Sequence, residues 1–131
     1  MKDIFITGDK KLYIKIVTTN DIATFENGTV HPVYSTFAIA RDAEWCCRLF
    51  VLEMKEEDEE GIGTFVNVTH KSPALINSEI VFEAEIIELH GNTINCKWIA
   101  TCKERVIAEG TQGQKILKKA KLDTIFKALT I

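Results

Sequence analysis

The sequence predicts an α+β domain in which an antiparallel sheet wraps around one long helix. Two observations predict it: a single long stretch with helical periodicity, and several segments in which β-branched and apolar residues alternate. Apolar residues make up 46% and charged residues 27% of the 131 residues, as in an ordinary soluble globular protein. The composition does not break along the chain, so we expect residues 1–131 to form a single domain.

The first element is a strand over residues 12–19, which is rich in β-branched side chains and partly alternates. Residues 20–33 carry the pairs Asn27-Gly28 and His31-Pro32, which favour turns and interrupt strands. We therefore expect this second stretch to be a loop or a lid.

A helix is predicted over residues 37–54, where apolar side chains recur at helical spacing at Ile39, Ala43, Cys46, Phe50 and Met54. Ser35 or Thr36 can cap its first turn. Further apolar residues widen this stripe, so we expect the helix to be largely buried. Residues 55–60 then carry one lysine and five carboxylates and are predicted to form a solvated turn.

Four strands are predicted after the helix. They cover residues 61–70, 79–89, 93–103 and 106–117. In the first of them, Val66, Val68 and His70 share one face. The second and third are joined by a short link containing Gly91, which indicates a hairpin. The third strand alternates, and its core face carries Ile94, Cys96, Trp98, Ala100 and Cys102.

The last strand contains Gly110 and Gly113, where a bulge or a close backbone approach can occur. From residue 118 the chain is predicted to form an amphipathic helix with one apolar stripe: Leu122, Ile125, Phe126 and Leu129. The order is therefore a strand, a buried helix and a four-stranded antiparallel meander, which is the outline of a hotdog fold. A sheet of this size has an open edge that a second copy could cover, so we expect a homodimer.

Charge and cysteine content restrict the function. A net charge of −3 and a pI near 5.6 do not indicate a nucleic-acid binder. No apolar run approaches the length of a membrane span, and the first residues lack the apolar core of a secretory signal, so a cytoplasmic location is expected. The four cysteines match no zinc-binding spacing and are predicted to be free thiols, without a metal site.

Three polar residues could carry chemistry, and each also has a structural interpretation. Thr36 could cap the helix, Glu44 could pair with Arg41 and Arg48 on a helix surface, and His70 could be a core histidine. Together they provide a hydroxyl, a carboxylate and an imidazole, the groups that general acid–base or nucleophilic catalysis requires. Free amides at the start of the helix could stabilise an oxyanion.

The run from His31-Pro32 through Ser35-Thr36, the segment GTFVNVTH at residues 63–70 and the segment EGTQG at residues 109–113 resemble the fluoroacetyl-CoA thioesterases and their hotdog relatives. The resemblance covers residues 12–117. It implies that Thr36, Glu44 and His70 hydrolyse an acyl-CoA thioester without a cofactor, and that Gly63 lies beside the acyl group. Coenzyme A carries phosphates, for which Lys115 and Lys118 are candidate ligands. The alternative interpretation, which the sequence favours, is that they form the solvated face of the last helix.

The sequence departs from the family in two places. The fluoroacetyl-specific enzyme has a phenylalanine-lined lid before the helix, whereas this chain has a single phenylalanine there, Phe25. The family often has a histidine and an arginine where this chain has Gln112 and Gln114. A general short or medium acyl-CoA is therefore the expected substrate.

Two other functions are compatible with a hotdog domain. The first is a non-catalytic module that binds or senses acyl-CoA or fatty acids, which would act together with a DNA-binding domain. The second is a hydratase or dehydratase, but the Gly-rich approach to the helix that is typical of those enzymes is absent from this sequence.

Overall fold

The computed structural model describes residues 1–130 of the protein. In this range the chain forms eight strands and two helices. In chain order they are β1 (Lys10–Ile16), β2 (Ile22–Phe25), β3 (Gly28–Tyr34), α1 (Thr36–Met54), β4 (Glu59–Val66), β5 (Thr69–His70), β6 (Glu79–His90), β7 (Thr93–Cys102), β8 (Arg105–Lys118) and α2 (Lys119–Ala128).

The main sheet is antiparallel and has the order β1-β6-β7-β8-β4, with the short β5 also paired to β8. Helix α1 packs against this sheet and contacts all of its long strands, and nine of its residues are buried. The predicted core face of β7 is correct, since Ile94, Cys96, Trp98 and Ala100 are all buried. The expected α+β class, with one long helix enclosed by an antiparallel sheet, is confirmed.

Two features of the predicted topology are wrong. Residues 20–33 are not simply a loop, because β2 and β3 pair as a separate two-stranded hairpin before α1. The four strands after α1 are not one meander, because β4 crosses to the far edge and pairs with β8. Only β6, β7 and β8 are sequential neighbours. Both differences arise from pairing partners that local alternation does not specify.

The predicted turn at residues 55–60 is shorter than expected, because Glu59 and Glu60 already belong to β4. Glu59 is buried rather than solvated, with 6% of its surface exposed. Its carboxylate Oε1 accepts a hydrogen bond from the backbone N–H of Glu56 at 2.9 Å, and its Oε2 lies 3.9 Å from Lys118 Nζ. These partners offset the cost of burying the charge.

The cysteines are free thiols within residues 1–130, as predicted. Cys46, Cys47 and Cys96 are buried, and Cys102 is half-buried. Burial raises the pKa of the Cys46 thiol to about 12. Such thiols behave as small core residues.

The predicted C-terminal helix is present as α2, but its apolar stripe is mostly uncovered. Only Leu122 is buried, whereas Ile125, Phe126 and Leu129 are exposed. Neither helix in the described part of the chain combines the length and hydropathy that a membrane crossing requires.

Candidate active site

The first residue of α1 contacts the histidine of β5. Ser35 is the N-cap, since its Oγ accepts a hydrogen bond from the Ala38 N–H at 3.1 Å. Thr36 is therefore free of the capping role that the sequence allowed for it, and its side chain is exposed. Thr36 Oγ1 lies 3.0 Å from His70 Nδ1. A hydroxyl and an imidazole are thus in hydrogen-bond contact at a helix N-terminus.

The same helix terminus offers backbone donors. The N–H groups of Thr36 and Phe37 have no acceptor among residues 1–130, because they precede the first intrahelical bonds and Ser35 caps Ala38 instead. The helix dipole makes this end partly positive. Together these amides can donate hydrogen bonds to a developing oxyanion beside the Thr36 hydroxyl.

The histidine is held by a break in the strand that precedes it. At Asn67 the chain leaves β4, and the Asn67 side chain hydrogen-bonds both the backbone N–H and the hydroxyl of Thr111, at 3.0 and 2.6 Å. Position 110 must be glycine, because a Cβ there would overlap the Asn67 carbonyl. Because of this break, His70 does not share a continuous buried face with Val66, which is 37% exposed. His70 Nε2 is buried without a partner in residues 1–130.

A charged cluster fixes the start of α1 from the other side. Asp21 is buried, and its carboxylate accepts hydrogen bonds from Arg41 at 2.7 Å and from the Thr18 N–H at 2.7 Å, while Lys15 lies 3.2 Å away. Its backbone carbonyl accepts the Ser35 N–H at 2.8 Å. Burial raises the pKa of Asp21, but the hydrogen bonds from Arg41, Thr18 and Lys15 outweigh burial and lower it to about 2.

The sequence did not indicate this role for Asp21, because it lies in a segment interpreted as a loop. A second buried contact supports the same helix terminus. The Tyr34 hydroxyl donates to the Asp42 carboxylate, and burial together with this contact raises the pKa of Tyr34. Asp42 also accepts from Arg41 Nε at 3.0 Å. The residues before and after Thr36 are thus tied to one buried ionic network.

Glu44 does not form the ion-pair row that its neighbours in sequence suggest. Arg41 binds Asp21 and Asp42, and Arg48 binds Glu60 at 2.7 Å. The Glu44 carboxylate has no cationic partner within residues 1–130. An uncompensated carboxylate of this kind is available as a base or a nucleophile.

Two neighbours of Glu44 come from the sheet. Gly63 in β4 lies against Glu44 Oε1, and a Cβ at position 63 would overlap that oxygen. Gln112 in β8 donates from Nε2 to the same oxygen at 3.3 Å. The group lies in a shallow pocket of about 300 Å³ whose walls include Trp45 and Arg48. The sequence identified Gln112 as a departure from the family but did not indicate this contact.

The structure brings Thr36 to His70 and Glu44 to Gly63, but it does not bring the two pairs together within one chain. Glu44 lies eight positions after Thr36 in α1, a rise of about 12 Å along the helix. The sheet gives a similar separation. Ala108 of β8 pairs with His70, whereas Gln112 of β8 contacts Glu44 and lies about 13 Å further along the strand.

The two lysines proposed for phosphate binding do not contact either pair. Lys118 Nζ binds Asp58 at 2.9 Å, and this contact raises its pKa. Lys115 is exposed on β8, opposite Thr93 and Ile62 in its neighbouring strands. Residues 1–130 contain no cluster of three or more histidine, cysteine or carboxylate side chains placed to hold a metal ion.

Comparison with known proteins gives the family. The model of the fluoroacetyl-CoA-specific thioesterase family FlK matches residues 17–120. The chain belongs to this family. A hypothetical protein from Thermus thermophilus, a member of the thioesterase superfamily, is 31% identical, with a TM-score of 0.91 over 97% of this chain and 94% of that one. No curated protein matches the chain in sequence.

More distant structures confirm the fold of this FlK-family chain. The fluoroacetyl-CoA thioesterase FlK superposes with a TM-score of 0.89 at 18% identity, over 98% of this chain and all of its own. A hot-dog-like protein from Thermanaerovibrio acidaminovorans gives 0.87 at 16% identity, over 97% and 95% of the two chains. The predicted hotdog fold and the predicted enzyme class, an acyl-CoA thioesterase, are confirmed.

Proposed function

We propose that this thioesterase hydrolyses short or medium acyl-CoA thioesters with Thr36, His70 and Glu44, in a site completed by two copies of the chain. The observation that carries the proposal is the Thr36 Oγ1 to His70 Nδ1 contact of 3.0 Å at a helix terminus with two free amides. A hydroxyl, an imidazole and oxyanion donors in one place suit attack on a thioester carbonyl.

In the proposed reaction the thioester oxygen accepts hydrogen bonds from the N–H groups of Thr36 and Phe37. Glu44 takes a proton from water, whose oxygen bonds to the carbonyl carbon and forms an oxyanion. The carbon–sulfur bond then breaks, the carbonyl re-forms as a carboxylic acid, and the protonated His70 imidazole gives its proton to the leaving thiolate. The product acid returns a proton to His70, and Glu44 releases its proton to solvent, which restores the site. Thr36 orients the imidazole through their hydrogen bond, and Gly63 leaves space for the acyl group.

A second copy is required because the two pairs lie about 12 Å apart along one helix. If two copies of α1 pack antiparallel around a two-fold axis near Ala40, midway between these positions, Thr36 of one copy faces Glu44 of the other. Each dimer then has two sites, and each site takes its Thr36–His70 pair and its Glu44 from different copies.

The surface around these residues supports such an assembly. Strand β4 lies at the edge of the main sheet, so its outer backbone groups have no neighbouring strand in residues 1–130. Large apolar side chains are exposed on β4 and on α1: Phe37, Trp45, Leu52, Phe65 and Val66. An apolar surface next to an open strand edge is typical of a subunit interface.

The test mixes two inactive variants. Thr36→Ala and Glu44→Gln are each expected to release almost no thiol from a panel of acyl-CoAs. After the two proteins are unfolded and refolded together, half of the dimers are hybrids with one intact site, and roughly a quarter of the wild-type rate returns. If each variant is inactive and the mixture also stays inactive, the site does not draw on two copies. If Glu44→Gln retains the wild-type rate, Glu44 has no role.

The domain organisation, the location in the cell and the ligands of coenzyme A are proposed as well. A single domain over residues 1–131 is supported by one continuous core, and a cytoplasmic location by the free buried thiols. Lys115 remains a candidate ligand for the phosphates of coenzyme A. Lys118 would first have to release Asp58.

A further inference from the structure

The amide of Gln112 is placed unusually for a side chain on a core strand. Gln112 is fully buried in β8, yet the only hydrogen bond of its side chain within residues 1–130 joins Nε2 to Glu44 Oε1 at 3.3 Å. Its own Oε1 is buried and has no partner there. Buried polar atoms without partners are rare, so this one requires an explanation.

The contact with Glu44 explains the orientation of the amide. An ionised carboxylate only accepts hydrogen bonds, so the amide must present its N–H to Glu44, and its oxygen must point the other way. The reverse orientation would place two oxygens against each other. Gln112 therefore keeps an unpartnered oxygen in the core in order to donate to Glu44.

A comparison with Gln114 shows that a buried glutamine on β8 need not be placed this way. Gln114 lies two residues further along the same strand and is equally buried, with 2% of its surface exposed. Its Nε2 donates to the backbone carbonyl of Cys47 at 3.1 Å, and its Oε1 is not left buried without a partner. Burial alone therefore does not account for the arrangement at Gln112.

We infer that Gln112 is a positioning residue that fixes the carboxylate of Glu44 for proton transfer, an inference that rests on the proposed role of Glu44. The bond to Oε1 leaves Oε2 as the free oxygen, because no group in residues 1–130 hydrogen-bonds it. That oxygen takes the proton from the attacking water. Arg41 and Arg48 are bound to other carboxylates, so a neutral donor orients Glu44 without adding a positive charge that would weaken it as a base.

The inference is tested by the pH dependence of thiol release in Gln112→Met and Gln112→Glu. Gln112→Met keeps the volume but removes the donor, so kcat is expected to fall about 10- to 100-fold while KM changes little. Gln112→Glu places a second carboxylate against the first, and the two would share a proton. The acid limb of its pH–rate profile is then expected to move upward by about one pH unit or more.

Gln114→Met is the matched control, because it removes a buried amide of the same strand that donates to the Cys47 carbonyl and not to Glu44. It is expected to lower the melting temperature but to leave the acid limb where it is in the wild type. Circular dichroism establishes that each variant is folded. If Gln112→Met and Gln112→Glu do not fold, Gln112→Asn keeps the amide but withdraws it from Glu44, and kcat is again expected to fall.

The possible failures are distinguishable. Folded Gln112 variants with the kcat and acid limb of the wild type overturn the positioning role, provided that Glu44→Gln is inactive. If Glu44→Gln instead keeps the wild-type rate, the proposed function itself fails, and the positioning role fails with it. A shift of the acid limb in Gln114→Met as large as that in Gln112→Glu also overturns the inference, because the effect would then come from the strand as a whole.

Discussion

Gly63 leaves no room for a side chain beside Glu44, because a Cβ at position 63 would overlap the carboxylate oxygen Oε1. The obstacle is the end of a flexible side chain rather than backbone. A larger residue would therefore displace Glu44 without disrupting the core. A substitution at position 63 is therefore expected to change the geometry of the candidate site while leaving the stability of the protein almost unchanged.

Gly63→Ala is expected to reduce turnover by an order of magnitude or more, since displacing a catalytic group by about 1 Å can cost about 100-fold in rate. Its melting temperature should stay close to that of the wild type. Gly61→Ala is the matched control, because a Cβ there would overlap a methyl of the buried Val51. That variant should lose about 1–3 kcal/mol of stability with little change in rate. The reverse pattern would contradict the proposed placement of Glu44.

Thr36→Ala and His70→Ala test the contact at the start of α1. Removing a positioned acid or base typically costs about 10²- to 10⁴-fold in rate, and we expect a loss in this range for His70→Ala in a thiol-release assay. Thr36 is exposed, so its replacement should alter the unfolding free energy by less than about 0.5 kcal/mol.

Ser35→Ala is the control for these two variants. It removes the N-cap hydrogen bond to Ala38 and should cost about 1 kcal/mol of stability. Its effect on turnover should be much smaller. A loss of turnover in Ser35→Ala as great as in His70→Ala would show that helix geometry, and not the Thr36–His70 pair, limits the rate.

The lowered pKa of Asp21 predicts how the stability of the protein depends on pH. Its pKa is lowered to about 2 in the folded protein, so its contribution is complete above the ordinary carboxyl pKa and is lost as the pH falls from about 4 to about 2. Asp21→Asn should therefore lose about 2 kcal/mol at neutral pH, measured by urea unfolding. The difference from the wild type should shrink in acid. A difference that is constant over this pH range would exclude the ionic contribution.

Trp45→Glu tests the proposed subunit interface. Trp45 is 42% exposed on the outer face of α1, near the pocket at Glu44. A buried charge there should dissociate a dimer, so light scattering should give a mass near 14.8 kDa, with loss of turnover. Phe126→Glu alters an exposed aromatic on α2 and should stay dimeric. If Phe126→Glu dissociates and Trp45→Glu does not, the interface lies on α2.

The elements that the sequence predicts best are those with one solvent-exposed face and one buried face. Strands β6 and β7 lie within one residue of their predicted bounds, because alternation and the turn at Gly91 define them locally. The hairpin of β2 and β3 was missed because β3 is exposed along most of its length and contains Pro32. Without a buried face, a strand has no alternation to detect.

The sequence could identify the residues of the candidate site by their chemistry, but it could not show which of them contact each other. The family resemblance implied that Thr36 and His70 act in one site, and in the structure their side chains lie 3.0 Å apart. The sequence could not show that Glu44 forms no ion pair with its neighbouring arginines. Arg41 instead binds Asp21, 20 positions away in the chain, and Arg48 binds Glu60, 12 positions away. Competition between partners distant in sequence is decided only in the folded protein.

The pairing of β4 with β8 also has a consequence for the order of folding. It joins Glu59 to Lys118, so it closes a far longer loop than the hairpins between β6, β7 and β8. Contacts of long sequence separation form late, after local hairpins have provided a template. During refolding we therefore expect sheet signal to return before thioesterase activity, because Gly63 reaches Glu44 only when β4 joins the sheet.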